Sequence, residues 1–202
     1  YNLYKVSNAR IYTDNNENVS FIKNNFILPL ISFQQSKGKL KKPKYNSVIE
    51  IGTPSFLKKI KGRVFNLCQG GSGNNYFHFM FDVIPKIHLL IVKKRINFID
   101  YFYITNPRKW QIKILKKLGI RENKILNSKV YKHILADEIY ATDHPWYHTG
   151  YVQYNLDKIP DWIVIENRKI FMKNFSKIKN KKIFLDRSES NFNHCQIENI
   201  DQ

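Results

Sequence analysis

Cysteine is nearly absent from these 202 residues: Cys68 and Cys195 stand alone, far apart and without a Cys-x-x-Cys spacing. That excludes a disulfide scaffold and a zinc knuckle, and a reducing compartment is the expectation. No run of about 18 uncharged apolar residues occurs and no secretory leader is visible, so the sequence offers no membrane span. Glycine is scarce too, with 8 residues. The richest glycine stretch, GGSGNN at 70–75, has neither the Lys-Ser/Thr of a P-loop nor the spacing of GxGxxG. Acidic side chains are few: 16 Asp and Glu face 34 Lys and Arg, a net charge of +18. There is no internal repeat and no low-complexity linker. The chain opens on Tyr1, not Met, and stops after NIDQ, which reads as a piece of a longer protein.

What is there suffices for a packed domain. At 43% hydrophobic and 14% aromatic residues the chain can bury a core, and its length fits one sizeable domain or one and a half small ones. The basic balance points to nucleic acid, an anionic membrane surface or anionic substrates. It also has a compositional source, because 27 Lys against 7 Arg, with 27 Ile and 22 Asn, is the usage of an A/T-rich coding sequence. The lysines are scattered as pairs, such as Lys41–Lys42, Lys93–Lys94 and Lys116–Lys117. The aromatics fall in core patterns, not between basic residues on one element. A basic nucleic-acid-binding domain is therefore the alternative and not the first reading.

Residues 1 to about 60 read as short β pieces (NLYKV, ARIYT, VSFIKN, FILPLISF) joined by turn chemistry such as TDNNEN. SKGKLKKPKYN reads as a solvated basic loop, and Pro54 breaks a strand through SVIEIGTPSFL. From Gly62 onward, strands and helices alternate. RVFNLC, YFYIT, VYKHIL, DEIYAT and KKIFLD are strand candidates. PRKWQIKILKKLG carries Trp110, Ile112, Ile114, Leu115 and Leu118 at helical spacing, with Gly119 as its C-terminal cap. PDWIVIENRKIFMKNF opens another helix at Pro160. Strands separated by such helices predict βαβ units. The expected fold is α/β, a Rossmann-like and largely parallel sheet with an N-terminal β-rich part.

The functional reading turns on NYFHFMFDVIPKIHLL, residues 75–90. A helix is predicted over 76–93, apolar on nearly every face. His78, Asp82 and Lys86, each four residues apart, fall on one stripe of it, with Asn75 at the mouth. Pro85 predicts a kink, or a split near Ile84. Burying a carboxylate or an imidazole without a partner is costly, so the stripe has to face something polar. Two readings stay open on spacing alone. In one, Asp82 accepts from His78 in a satisfied internal pair while Lys86 reaches outward. In the other, the stripe lines a cleft at the end of a sheet, where Asp82 orients His78 as a general base. One His and one Asp supply only two metal ligands and no third is placed, so no metal is expected. GGSGNN could cradle a phosphate at the helix N-terminus, or Asn74 or Asn75 in it could cap the helix.

Around that stripe the residues resemble the signature helix of the family 61 glycosyltransferases. That signature reads Asn-Tyr-x-His-aromatic-aliphatic-x-Asp-x-aliphatic-Pro-Lys/Arg, and Asn75, Tyr76, His78, Phe79, Asp82, Pro85 and Lys86 fill it in order. Two more stretches follow in the family's order. DEIYATDHPWYHTG is similar to its strand and His-Pro loop, with His144 and Pro145 matching. KKIFLDRSES is similar to its strand ending in an Arg, with Arg187, Ser188 and Glu189 matching. The family often has a second Arg soon afterwards, and SNFNHCQIEN carries none.

The resemblance covers roughly residues 62–202 and implies the N-terminal half of a GT-B-type two-domain architecture. Residues 1–61 would be a variable β-rich part, 62–178 a Rossmann-like acceptor-side domain, and 179–202 the start of a truncated nucleotide-sugar-binding domain. The implied reaction is an inverting transfer of a sugar from a nucleotide sugar to a hydroxyl of a polysaccharide or glycoprotein glycan. His78 and Asp82 are then the catalytic candidates. Asn75, Tyr76, Lys86 and His144 are substrate-binding candidates, and Arg187 with Ser188 would contact the donor phosphate. The resemblance implies no cofactor and no metal beyond the nucleotide-sugar donor, and donor and glycan acceptor as partners, without nucleic acid. Peripheral membrane association fits it, as does a location in the cytoplasm at the inner face of a membrane, or in the endomembrane lumen of a eukaryote. The remaining reading is a catalytically inactive remnant or interaction domain built round a satisfied His–Asp pair.

Overall fold

A computed structural model describes residues 1–68, 75–147 and 150–172. The chain begins with a long strand, β1 (Leu3–Thr13), which turns through Asp14–Asn18 into β2 (Val19–Lys23) and the short β3 (Phe26–Ile27). A two-residue ribbon, β4 (Gln35–Ser36) with β5 (Lys39–Leu40), leads to helix α1 (Ser47–Ile51). The apolar pattern of SVIEI suits a strand, but the Asn46 side chain accepts from the Val48 N–H and caps a helix instead. Strand β6 then runs from Leu57 to Asn66, starting well upstream of RVFNLC.

The next segment is a single helical run in three parts: α2 (Tyr76–His78), a π-helical turn (Phe79–Val83) and α3 (Ile84–Lys93). Proline explains the wide turn. Pro85 has no N–H and its ring crowds the carbonyl four residues back, so the Ile84 N–H bonds Phe79 O, five residues back, and the helix continues through the proline. After β7 (Tyr101–Ile104) come α4 (Lys109–Lys117), β8 (Ile125–Asn127), β9 (His133–Thr142) and α5 (Asp161–Phe171). Gly119, at φ 88, closes α4 as its spacing predicts, with Ile120 N–H bonded back to Leu115 O. The KKIFLD stretch lies outside the described residues.

Seven strands form one sheet in the order β3-β2-β1-β9-β6-β7-β8. The α/β class holds and the sheet is mixed. β9, β6, β7 and β8 are mutually parallel, whereas β1 runs antiparallel to both β9 and β2, and β2 to β3. NLYKV and ARIYT form one strand, and so do HIL and DEIYAT. The apparent break in β1 is Asn8, whose φ of 48 leaves it unpaired between the pairs Ser7–Glu138 and Ala9–Ala136 while the register runs on unchanged.

The helices cover one face of the sheet, where Phe65, Leu67, Phe79, Val83, Ile84, Ile87 and Phe102 are buried. The other face buries Ile11, Phe21, Val64, Tyr103, Ile134 and Ile139 against one another without a helical layer. It can do so because the sheet curls. β1 and β7 stand three strand spacings apart, about 14 Å in a flat sheet. Even so, the Thr13 and Tyr103 hydroxyls bond at 2.8 Å.

The chain order places the site. From β6 the chain moves by right-hand neighbours to β7 and β8, then returns to lay β9 on the other side of β6. The connections therefore diverge between β6 and β9, and the crevice beyond the carboxyl ends of such strands is where open α/β sheets bind ligands.

Candidate functional site

At that crevice the chain leaves β6 through Asn66 and Cys68 and leaves β9 through Thr142, Asp143 and His144. The helical run beginning at Tyr76 packs over both ends. Asn75 caps it, its side chain accepting from the His78 N–H at 3.2 Å. Asn75 and Tyr76 are exposed at the mouth, and the Tyr76 ring lies 5.4 Å from that of Trp110. His78 is one step further in, with a side chain 21% exposed. Beneath it the polar stripe is buried, with Asp82 at 1% and Lys86 at 5% exposure.

Asp82 is the hub. Its Oδ2 lies 2.8 Å from His78 Nδ1, and its Oδ1 accepts from the Trp146 indole N–H at 2.7 Å. His144 Nε2 stands 3.7 Å from the same Oδ1. A carboxylate only accepts, so the proton of the His78 pair belongs on Nδ1 and leaves Nε2 as the basic nitrogen of the ring. His144 has the reverse tautomer. Its Nδ1 faces the backbone N–H groups of Tyr147 at 2.9 Å and Trp146 at 3.3 Å, which can only donate, so its proton sits on Nε2, toward Asp82. His144 is thus built into the loop, 1% exposed, and fixes the turn that aims Trp146 at the carboxylate. Phe77 and Phe81, stacked with centroids 4.8 Å apart, wall the cluster beside Trp146.

Lys86 does not reach outward. Its ammonium donates to the Cys68 carbonyl at 3.2 Å, tying the helix to the end of β6. Burial pushes its pKa down to about 8, partly offset by the attraction of Asp82. Burial likewise pushes the Cys68 thiol up to about 11, against the opposing pull of the neighbouring Thr105 and Ser128 hydroxyls and the Lys86 ammonium. A pocket of only about 10 Å³ lies among Lys86, Asn66, Thr142 and His144, so nothing larger than one water fits behind the stripe. Ligand access is from the His78 side.

The structure therefore brings Asn75, Tyr76, His78, Asp82, Lys86 and His144 to one place, in two layers: an accessible rim of Asn75, Tyr76 and His78 over a buried frame of Asp82, Lys86 and His144. Arg187, Ser188 and the glycine-rich loop before Asn75 lie outside the described residues. Sequence reasoning missed Trp146. The signal was present, since an indole two residues after His144 in DHPWYH brings a donor that a buried carboxylate can use. Among the described residues no group of three or more His, Cys, Asp or Glu is placed to hold a metal ion, and no helix is long and apolar enough to cross a membrane. No model of a known protein family, no curated protein and no solved structure matches the chain.

Proposed function

We propose that the chain is the acceptor-side part of an inverting glycosyltransferase of the family 61 type, with His78 as the base. The observation that carries this is the His78–Asp82–Trp146 arrangement: a partly accessible imidazole whose Nδ1 is held by a buried carboxylate, itself fixed by an indole N–H, at the carboxyl-end crevice between β6 and β9. An orienting carboxylate of this kind selects the tautomer and stabilises the imidazolium that forms when Nε2 takes a proton.

In the proposed step, His78 Nε2 removes the acceptor hydroxyl proton as that oxygen attacks the anomeric carbon. The bond from that carbon to the nucleotide phosphate breaks on the opposite side, which inverts the configuration. Asn75 and Tyr76, exposed beside His78, would hold the acceptor. The departing diphosphate needs positive charge, which Arg187 would supply in the GT-B arrangement, with the Ser188 hydroxyl donating a hydrogen bond beside it.

The test is to give the full-length protein a panel of nucleotide sugars with glycan acceptors, following nucleotide release and the anomeric configuration of the product by NMR. Transfer with inversion is expected. Transfer with retention, or a folded protein that neither binds nor consumes any donor of the panel, overturns the proposal and leaves the His78–Asp82 pair as an element of stability.

A further inference from the structure

A second cavity, of about 710 Å³, lies apart from the Asp82 cluster, between the β1–β2 turn, the β4–β5 ribbon, α1 and the start of β9. We propose that it binds an acidic saccharide, a hydroxyl-rich ligand carrying a carboxylate or a phosphate. The size is that of a small-molecule site.

Its walls are fixed by a buried polar network. Gln34 donates to Ser20 Oγ at 3.0 Å and to Ser47 Oγ at 2.8 Å and accepts from Ser47 N–H at 2.8 Å. Ser20 donates to Asn46, and Ser47 donates to Asp14 at 3.1 Å. Gln34, Ser20 and Asn46 are each at most 3% exposed. Apolar residues would join the hairpin to α1 more simply. A fully satisfied polar network instead holds the two walls in one geometry, as a preorganised site requires.

The surfaces facing the cavity set the ligand class. Asn15, Asn16 and Ser55 offer donors and acceptors suited to hydroxyls, while Ile51 and Pro54 provide the apolar surface that the C–H face of a sugar ring can use. Lys37, Lys41 and Lys132 bring three ammonium groups against Glu50 and Asp14. The Asp14 carboxylate accepts from the Asn16 and Asn18 N–H groups and the Ser47 hydroxyl, and with three ammonium groups against two carboxylates the net charge facing a ligand is positive. It is also modest, which favours one acidic group among hydroxyls over a polyphosphate or a nucleic-acid backbone. Lys41 also lines a separate cavity of about 260 Å³ that reaches Asp143 and His144.

Binding at this cleft does not depend on sugar transfer, so calorimetric titration of the chain as it stands tests it. The probes are a uronic-acid tetrasaccharide, a phosphate-substituted sugar, a neutral tetrasaccharide of equal length and a nucleoside diphosphate. One of the two acidic saccharides should bind at least tenfold tighter than the neutral one and tighter than the nucleotide, and which of them does so names the acidic group. The combined Lys41→Gln and Lys132→Gln variant should lose at least tenfold of that affinity with its melting temperature kept, while His78→Ala should leave it unchanged. Equal binding of the neutral sugar, preference for the nucleotide, no binding of either acidic saccharide, or affinity indifferent to the two lysines overturns the proposal.

Discussion

Buried Lys86 makes stability depend on pH in a direction that can be worked out in advance. Its pKa is about 8 in the folded chain against an ordinary 10.5. Between those values the unfolded chain binds a proton that the folded chain has released, so the unfolded state carries more protons and stability rises with pH. Integrated from about pH 7 to 9.5, the gain is about 2 kcal/mol. Cys68 acts oppositely, because its thiol is raised from 9.0 to about 11 and the unfolded state loses that proton first. It would cancel roughly 1 kcal/mol of the gain near the top of the range. The measurement is therefore urea unfolding at constant ionic strength across this range, in a Cys68→Ser background with and without Lys86→Met. The lysine-containing chain should gain about 2 kcal/mol and the methionine chain should stay nearly flat. An equal rise in both, or none in the lysine chain, refutes the placement of the ammonium in a closed polar cavity against the Cys68 carbonyl.

Two other substitutions probe the frame of the site, and a third probes the irregularity in β6 at Gly62. Trp146→Phe keeps the aromatic bulk but removes a donor from a buried carboxylate, and should cost about 1.5–3 kcal/mol in urea unfolding. A double-mutant cycle with Asp82→Asn should assign most of that cost to the pair. His144→Ala removes the acceptor for two backbone N–H groups and should destabilise by about 1–3 kcal/mol, while loosening Trp146 as seen in its fluorescence. Gly62→Ala should destabilise by at least about 1–3 kcal/mol in thermal unfolding, since the residue sits at φ 110 and a Cβ would meet Asp100 Oδ2 at 2.8 Å.

The periodic elements were legible because period and burial agree in them. α4 with its Gly119 cap, α5 after Pro160, and the β7 core run all lie where their patterns put them. Strand continuity was not legible. Asn8 in β1 and Asp137 in β9 look like breaks, but the β1–β9 register runs on unchanged past Asn8, and the Asp137 carboxylate accepts from the Gly62 N–H at 2.7 Å, a pairing between residues 75 positions apart. The SVIEI helix was hidden for a similar reason, since a cap at Asn46 outweighs an alternating pattern only when the polar network behind it holds the turn. At the site, four-residue spacing correctly joined His78 to Asp82. It failed for Lys86, whose partner is the Cys68 carbonyl just past the end of β6, and for Trp146, whose bond to Asp82 spans 64 residues. Local spacing carries no information about such partners.

The central claim is that His78, held by Asp82, takes the acceptor proton. Its most direct test is the turnover of the full-length protein carrying His78→Ala, measured beside its melting temperature. Loss of the base should lower kcat by about 10²–10⁴ with the fold intact. Undiminished transfer by a folded His78→Ala protein would contradict the assignment.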